Sequence, residues 1–245
     1  MSEINIVIPV YNEADSIRDA LTKIEQDVFI PCSVNIIYDS EQDATLPIVR
    51  DIQRNYKTAI TLVKNKYGRG ALNAIRTGLE MFHGKYTVVT TADLSDRAGD
   101  INRMYKIAEE EKADIVCGSR YMKEGKQIGG PIIKSCMSRL AGLTLYYLAR
   151  VPTRDATNNF KLYRNDFLKE QIIESTGGFE LGLELVAKAH ANGYKIRETP
   201  TIWTDRVTGV SHFKTLAWMP QYLKWYFYAF KGLRSCIIPR KAVTP

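Results

Sequence analysis

No C-x-x-C pair occurs among the four cysteines, Cys32, Cys117, Cys136 and Cys236, and His83, His190 and His212 stand without ligand spacing. That argues against a zinc site and leaves buried thiols in a reducing cytosol as the expected state. No apolar run approaches the roughly 20 residues that a membrane-spanning helix needs. The stretch 140–151 is too short, and 216–230 is interrupted by Pro220, Gln221 and Lys224. Membrane association is therefore expected to be peripheral or carried by a partner. The first strand begins almost at once, so no signal peptide is expected. No G-x-G-x-x-G follows that strand, which counts against a dinucleotide-dependent oxidoreductase. Repeats, low-complexity segments and Gly/Ser linkers are also missing. The expectation is one domain over 1–212, with 213–245 as its edge or an appendage.

What is present is an ordinary globular composition over 245 residues, 45% hydrophobic and 25% charged, with a formal net charge of +7. A pI near 9.1 favours anionic partners, although solubility accounts for it equally. The bases are spread out and no nucleic-acid reader motif occurs, so nucleic acid is not an expected partner.

The first half alternates short β-rich runs at 4–10, 34–39, 59–63, 86–91 and 114–118 with amphipathic stretches at 14–27, 45–56, 70–82 and 100–111. Near-continuous apolar strands alternating with helices predict an α/β fold, a mostly parallel sheet covered on both faces. In such sheets ligands bind beyond the carboxyl ends of the strands. The second half predicts helices at 132–150 and 179–192 and a strand-like 195–203.

Three strand ends carry candidate chemistry. Pro9-Val10-Tyr11-Asn12-Glu13 closes the first strand, where Asn12 can cap the following helix and favour an anion. Tyr38-Asp39-Ser40-Glu41-Gln42-Asp43-Ala44-Thr45 closes the second. A carboxylate there can hold a ribose hydroxyl or a base edge, whereas helix capping suits Asp43 or Thr45 better than Asp39. Thr90-Thr91-Ala92-Asp93-Leu94-Ser95-Asp96 closes the fourth. An acidic residue here can anchor Mg²⁺ or Mn²⁺ against a diphosphate, and as a single carboxylate Asp93, or Ser95, can equally cap the next helix.

Together with Tyr67-Gly68-Arg69-Gly70-Ala71-Leu72-Asn73-Ala74, Gly118-Ser119-Arg120-Tyr121, Asp155-Ala156-Thr157-Asn158-Asn159-Phe160-Lys161-Leu162-Tyr163-Arg164 and Gly178-Phe179-Glu180, these segments resemble glycosyltransferase family 2, of GT-A fold. The nearest likeness is to its dolichol- or polyprenyl-phosphate mannose synthase branch, over about residues 4 to 230. The resemblance implies that Pro9, Tyr11, Glu13, Asp39, Ala92 and Asp93 hold a nucleotide sugar. It also implies a divalent cation, Mg²⁺ or Mn²⁺, at Asp93 with Ser95 beside it. Arg120, Lys134 and Ser138 would receive the phosphate of a lipid acceptor. Arg206 and Lys214 match a basic loop that closes over the diphosphate, making Asp93, Arg120 and Arg206 the implied catalytic set.

The physical chemistry is consistent with that assignment. An arginine fork suits phosphate oxygens at any working pH. A phosphate monoester is already an anionic nucleophile, so catalysis is mainly alignment and neutralisation of the departing diphosphate. No Ser-His-Asp or Cys-His set is required. Where the family usually has paired acids, this chain has Tyr38 before Asp39 and Thr91 before Ala92-Asp93. One lost charged ligand costs a couple of kcal/mol, roughly ten- to hundredfold in cation affinity.

Aromatic residues crowd the tail: Trp218, Tyr222, Trp225, Tyr226, Phe227, Tyr228 and Phe230. Leu216, Met219, Leu223, Phe227 and Phe230 follow helical spacing, with Lys224, Lys231, Arg234, Arg240 and Lys241 around them. At about 1 kcal/mol per basic residue near an anionic leaflet, charge alone supplies only roughly 5 kcal/mol. A core-packing helix or an oligomer contact explains the segment equally well. The expected enzyme is a hexosyltransferase acting with inversion, peripheral at the cytoplasmic face of a membrane, alone, as a homo-oligomer or on an anchoring subunit. The competing readings are a degenerate nucleotide- or lipid-binding module and a transferase to a glycan hydroxyl.

Overall fold

The first strand, β1 (Ile4–Val10), is buried along nearly its whole length, as expected of a central strand with apolar side chains on both faces. In the computed structural model, which describes residues 2–205 and 215–235, it pairs in parallel with β2 (Cys32–Tyr38) on one side. Strand β3 (Ala59–Lys64) extends that side. On the other side lies β4 (Tyr86–Val89), again parallel. Beyond it come β5 (Ile115–Ser119), β6 (Lys126–Ile128), β7 (Lys161–Arg164), β8 (Ile196–Pro200) and β9 (Ile202–Thr204). The main sheet has seven strands in the order β3-β2-β1-β4-β7-β5-β8, while β6 and β9 form a small parallel pair of their own.

Helices α1 (Ile17–Asp27), α2 (Thr45–Ile52), α3 (Ala71–Leu79) and α4 (Asp100–Glu111) alternate with the first strands. Ile17, Leu21, Leu46, Val49, Ile101 and Met104 of α1, α2 and α4 fill one face of the sheet. Leu72, Ile75 and Leu79 of α3 pack on the other, with Leu183 and Val186 from later in the chain. The later helices are α5 (Ile132–Leu148), α6 (Asn165–Lys169), α7 (Leu181–Ala191), α8 (Thr215–Ala229) and α9 (Gly232–Ser235). The expected α/β architecture is borne out.

Two features were not expected from the sequence. Strand β7 runs antiparallel between β4 and β5. With only four residues and a lysine and an arginine at its ends, it carries too little apolar pattern to stand out. The strand-like 195–203 is two strands, since Thr201 turns the chain from the main sheet to the pair with β6. In α8, Trp225 and Ala229 enter the core against α7, whereas Phe227 is 65% exposed. Arg206, Lys214, Cys236, Arg240 and Lys241 lie outside the described residues. Among the described residues, no helix is long and apolar enough to cross a membrane.

Candidate active site

Because β1, β2, β4 and β5 are mutually parallel, their carboxyl ends share one edge of the sheet. Tyr11, Asp39, Asp93 and Arg120 each follow one of these ends. With strands about 4.8 Å apart, the row from β2 to β5 is roughly 20 Å long. Antiparallel β7 has its start, not its end, at this edge, and so delivers Asp155 beside Arg120.

The β1 and β2 ends are knotted together. Asn12 sits at φ 55° in the left-handed region. Its backbone N–H donates to both oxygens of Asp43 (3.1 and 3.2 Å), and its side chain accepts from Ala44 N–H at 3.1 Å. Asn12 therefore braces α2 instead of capping α1, whose preceding residue is Ser16. Asp43 also accepts from Thr45 N–H at 2.9 Å, the capping role expected of it. Glu13 N–H donates to the Thr45 hydroxyl at 2.9 Å, and the Ser16 hydroxyl donates to the Glu13 carboxylate at 3.1 Å. Pro9 stays within β1, and Tyr11 projects, well exposed, beyond it.

Asp39 holds the loop that opens α3. Its oxygens accept from Asn65 Nδ2 and from Gly70 N–H, both at 2.8 Å. Gly70 has φ +120°, a conformation that side chains rarely adopt, so a glycine there lets the backbone reach the carboxylate. Tyr38, where paired acids were expected, is buried and donates its hydroxyl to Glu41 at 3.0 Å.

At the end of β4, Ala92 and Ser95 are buried. Ser95 N–H donates to Asp93 at 3.1 Å across Leu94, which is itself left-handed at φ 60°. Strain of this kind costs on the order of 1–3 kcal/mol and gathers at functional sites. Asp96 stands within electrostatic reach of both Asp93 and Arg120. Burial first, and the Asp93 carboxylate next, push the Asp96 carboxyl up to about 7, against the pull of Arg120. Two oxygens here, Asp96 Oδ1 and Thr91 Oγ1, are shut from solvent without a hydrogen-bond partner.

Arg120 is largely buried, and its fork grips Asp155 through Nε at 2.7 Å and Nη2 at 2.9 Å. Its backbone N–H adds a third bond at 3.0 Å. The fully buried Asp155 is therefore spent on Arg120 and is not a free base. The ion pair also keeps the guanidinium firmly protonated despite burial. Nη2 reaches the Ser138 hydroxyl of α5 at 3.1 Å, and Ser138 in turn lies 2.6 Å from Thr157 and 3.0 Å from the Tyr121 hydroxyl. Nη1 has no hydrogen bond among the described residues. A cavity of about 490 Å³ opens beside this cluster, lined by Arg120, Tyr121, Gln127, Ile132, Ser135 and Arg139 among others. Lys134 is half-buried on the same turns of α5.

Beyond the cavity α5 turns an apolar face outward, with Ile132 79%, Ile133 75% and Leu140 65% exposed. Helix α8 adjoins α5 through the Tyr226 hydroxyl, which donates to Thr144 at 2.9 Å. Tyr222 of α8 comes within electrostatic reach of Arg120 and of buried Glu180.

Among the described residues, no three His, Cys, Asp or Glu gather as a metal cluster. The orphaned Asp96 and Thr91 oxygens, beside Asp93, are nonetheless hard donors of the kind that Mg²⁺ and Mn²⁺ prefer. The residues present thus fit a cation held partly by protein and partly by a bound diphosphate and water.

The sequence profile of Glycosyl transferase family 2 matches residues 5–172. The dolichyl-phosphate β-glucosyltransferase of Dictyostelium discoideum is 32% identical over 130 residues, 48% of this chain and 39% of that protein. The dolichol-phosphate mannosyltransferase of Pyrococcus furiosus is 23% identical over 217 residues, 86% of this chain and 59% of that protein. The chain thus spans only part of the length of these relatives. Among solved structures, a Pyrobaculum calidifontis mannosyltransferase bound to GDP-Man and Mn²⁺ superposes with a TM-score of 0.64 at 18% identity. That match covers 98% of this chain and 65% of the other. The glucosyl-3-phosphoglycerate synthase of Mycobacterium tuberculosis, bound to Mn²⁺, UDP and phosphoglyceric acid, gives 0.69 at 13% identity, covering 94% and 78%. At these identities the superpositions establish a shared fold.

Proposed function

The chain belongs to Glycosyl transferase family 2, and from that we propose that it moves a sugar from a nucleoside diphosphate sugar to a polyprenyl or dolichyl phosphate at a membrane surface, with inversion. One observation carries the acceptor assignment. The Arg120–Ser138 cluster, with Arg120 Nη1 left over from the Asp155 pair, adjoins a cavity that Ile132 of the outward apolar turns of α5 also lines, so a guanidinium N–H edge and a lipid-compatible surface meet at one place. The named activities of the two dolichyl-phosphate relatives support the same acceptor class.

In this reading Pro9, Tyr11, Glu13, Asp39 and Ala92 hold the nucleotide. The roughly 20 Å strand-end row is long enough for base, ribose, diphosphate and sugar laid end to end. Arg120, Lys134 and Ser138 orient the acceptor phosphate. One of its oxygens attacks the anomeric carbon as the bond to the diphosphate breaks, and the electron pair leaves with the nucleoside diphosphate. The acceptor oxygen already carries charge, so no base removes a proton, and Asp155 is left to hold the arginine. Mg²⁺ or Mn²⁺ held by Asp93, with Ser95 adjoining, would neutralise charge on the departing diphosphate. Arg206 and Lys214 would close over that diphosphate. The protein would act peripherally on the cytoplasmic leaflet.

The test is a radiolabelled-sugar assay with GDP-mannose, UDP-glucose and UDP-N-acetylglucosamine against a polyprenyl phosphate, with Mg²⁺ or Mn²⁺. A lipid-extractable product from one donor is expected. No product from any of them would reject the assignment in this form.

A further inference from the structure

Position 91 is a threonine, so Asp93 is the one carboxylate between Thr90 and Ser95 and would face the implied cation alone. We propose that Asp96 joins Asp93 as the second protein carboxylate that holds the divalent cation. This rests on the nucleotide-sugar transferase reading above and specifies which second carboxylate of this chain holds the cation.

The argument starts from which nearby acids are already engaged. Asp155 is bound to Arg120 by two side-chain bonds and a backbone bond. Asp100 accepts from Arg103 at 2.5 Å and from the Thr201 hydroxyl at 2.7 Å. Asp96 differs from both: its Oδ1 is sealed from solvent and has no hydrogen-bond partner. A buried acceptor left unsatisfied is costly, the more so when it is charged, so a carboxylate in that state is expected to have a ligand.

Arg120 does not fill that role. It lies close enough to act on Asp96 through space, but its Nε and Nη2 are on Asp155 and Asp96 Oδ1 takes no hydrogen bond from it. Asp93, three residues before it, is a second negative group within electrostatic reach of Asp96. Two carboxylates brought together in a sheltered place repel unless a cation lies between them. The second orphaned oxygen in this loop, Thr91 Oγ1, is a further hard donor at the end of β4. Leu94, left-handed at φ 60°, lies between Asp93 and Asp96, and the two acids stand within electrostatic reach of each other.

The test is Mn²⁺ binding followed by electron paramagnetic resonance on the full chain, with GDP and with UDP. Wild type, Asp93→Asn, Asp96→Asn and the double variant Thr91→Asp/Asp96→Asn are compared. Wild type is expected to bind, Asp96→Asn to bind on the order of ten- to a hundredfold more weakly, and the double variant to recover. Asparagine keeps the shape of Asp96 and removes a charge that makes no hydrogen bond through Oδ1, so the variant is expected to fold, which thermal melting checks. A crystal of the wild type with Mn²⁺ and nucleotide gives an independent readout: the anomalous peak should lie within about 2.5 Å of an Asp96 oxygen. Asp96→Asn binding Mn²⁺ as tightly as wild type while Asp93→Asn does not, or a peak touching Asp93 alone, overturns the proposal and leaves the transferase reading standing. Absence of Mn²⁺ binding by wild type with either nucleotide also overturns it. The radiolabelled-sugar assay then decides the transferase reading separately.

Discussion

Arg120 and Asp155, 35 residues apart in sequence, form a two-pronged ion pair in which the carboxylate is wholly buried. The pair joins the end of β5 to the start of β7, and through Ser138 it fixes α5 as well. Removing one member strands the other charge, which typically costs about 3–5 kcal/mol. Asp155→Asn is therefore expected to lose several kcal/mol in urea unfolding, and Arg120→Lys to recover little, because an ammonium cannot reproduce the fork. Replacing both residues with apolar ones should cost less than Asp155→Asn alone. A single variant within about 1 kcal/mol of wild type would show that the pair contributes little.

A second prediction concerns how α5 is seated. A Cβ on Gly142 would lie 2.1 Å from the carbonyl oxygen of Arg154, which is backbone and cannot swing aside. Gly142→Ala must push α5 away from the loop that carries Asp155. Overpacking of this kind costs about 1–3 kcal/mol, although alanine otherwise favours a helix. Thermal melting should show the loss. An unchanged or raised Tm would mean that α5 can shift freely, and the Ser138–Arg120 contact would then not be a rigid one.

Much of this architecture was legible from the sequence because the first half follows one rule: apolar runs with turn residues after them. The end of β1 fell where that rule put it, and those of β2 and β4 one and two residues earlier, at Tyr38 and Val89, with Tyr11, Asp39 and Asp93 following them. Arg120 was found in the same way, as the residue after a buried strand. Its partner Asp155 was not, because the pairing depends on β7 entering antiparallel between two parallel strands. Four residues, Lys161–Arg164, carry no periodic signal for that. The role of Asp39 as an anchor for Gly70 was equally hidden, since a backbone N–H leaves no mark on a side-chain pattern. Trp225 shows a third limit. Aromatic residues at helical spacing read alike whether they face a core or a membrane, and α8 turns Trp225 inward and Phe227 outward.

His190 provides a pH test. It is buried on α7, its Nε2 lies 2.8 Å from the Ala149 carbonyl oxygen, and Gly232 sits against its ring. Burial lowers its pKa below the ordinary 6.5, against the opposing pull of the carbonyl. A base whose folded pKa is depressed contributes stability that is present above the unfolded value and lost as pH falls below it. The His190 contribution should therefore fall from about pH 6.5 downward, opposed in the same window by the Asp96 carboxyl, whose raised pKa favours the folded state as pH falls. His190→Gln should remove that contribution, so in urea unfolding the variant loses less stability than wild type as pH falls through the window. An unchanged slope would assign the loss to other groups.

The outward face of α5 makes the lipid-acceptor reading vulnerable to a simple experiment. Ile132 and Ile133 are 79% and 75% exposed, so replacing both with serine should leave the fold intact. Fully burying an isoleucine is worth about 1.5–3 kcal/mol. Partial insertion of both at a bilayer boundary then contributes roughly 3 kcal/mol, or about a hundredfold in partitioning. Sedimentation with anionic vesicles should show a loss of that order for Ile132→Ser/Ile133→Ser. The KM for a bilayer-borne polyprenyl phosphate should rise with it, while nucleotide-sugar affinity stays the same, because the strand-end row is untouched. Serine rather than glutamate is the informative choice, since an added negative charge would be repelled by the anionic leaflet wherever it stood. Equal vesicle binding by the variant and wild type would mean that this face meets something other than lipid, and the acceptor would have to reach Arg120 by another route.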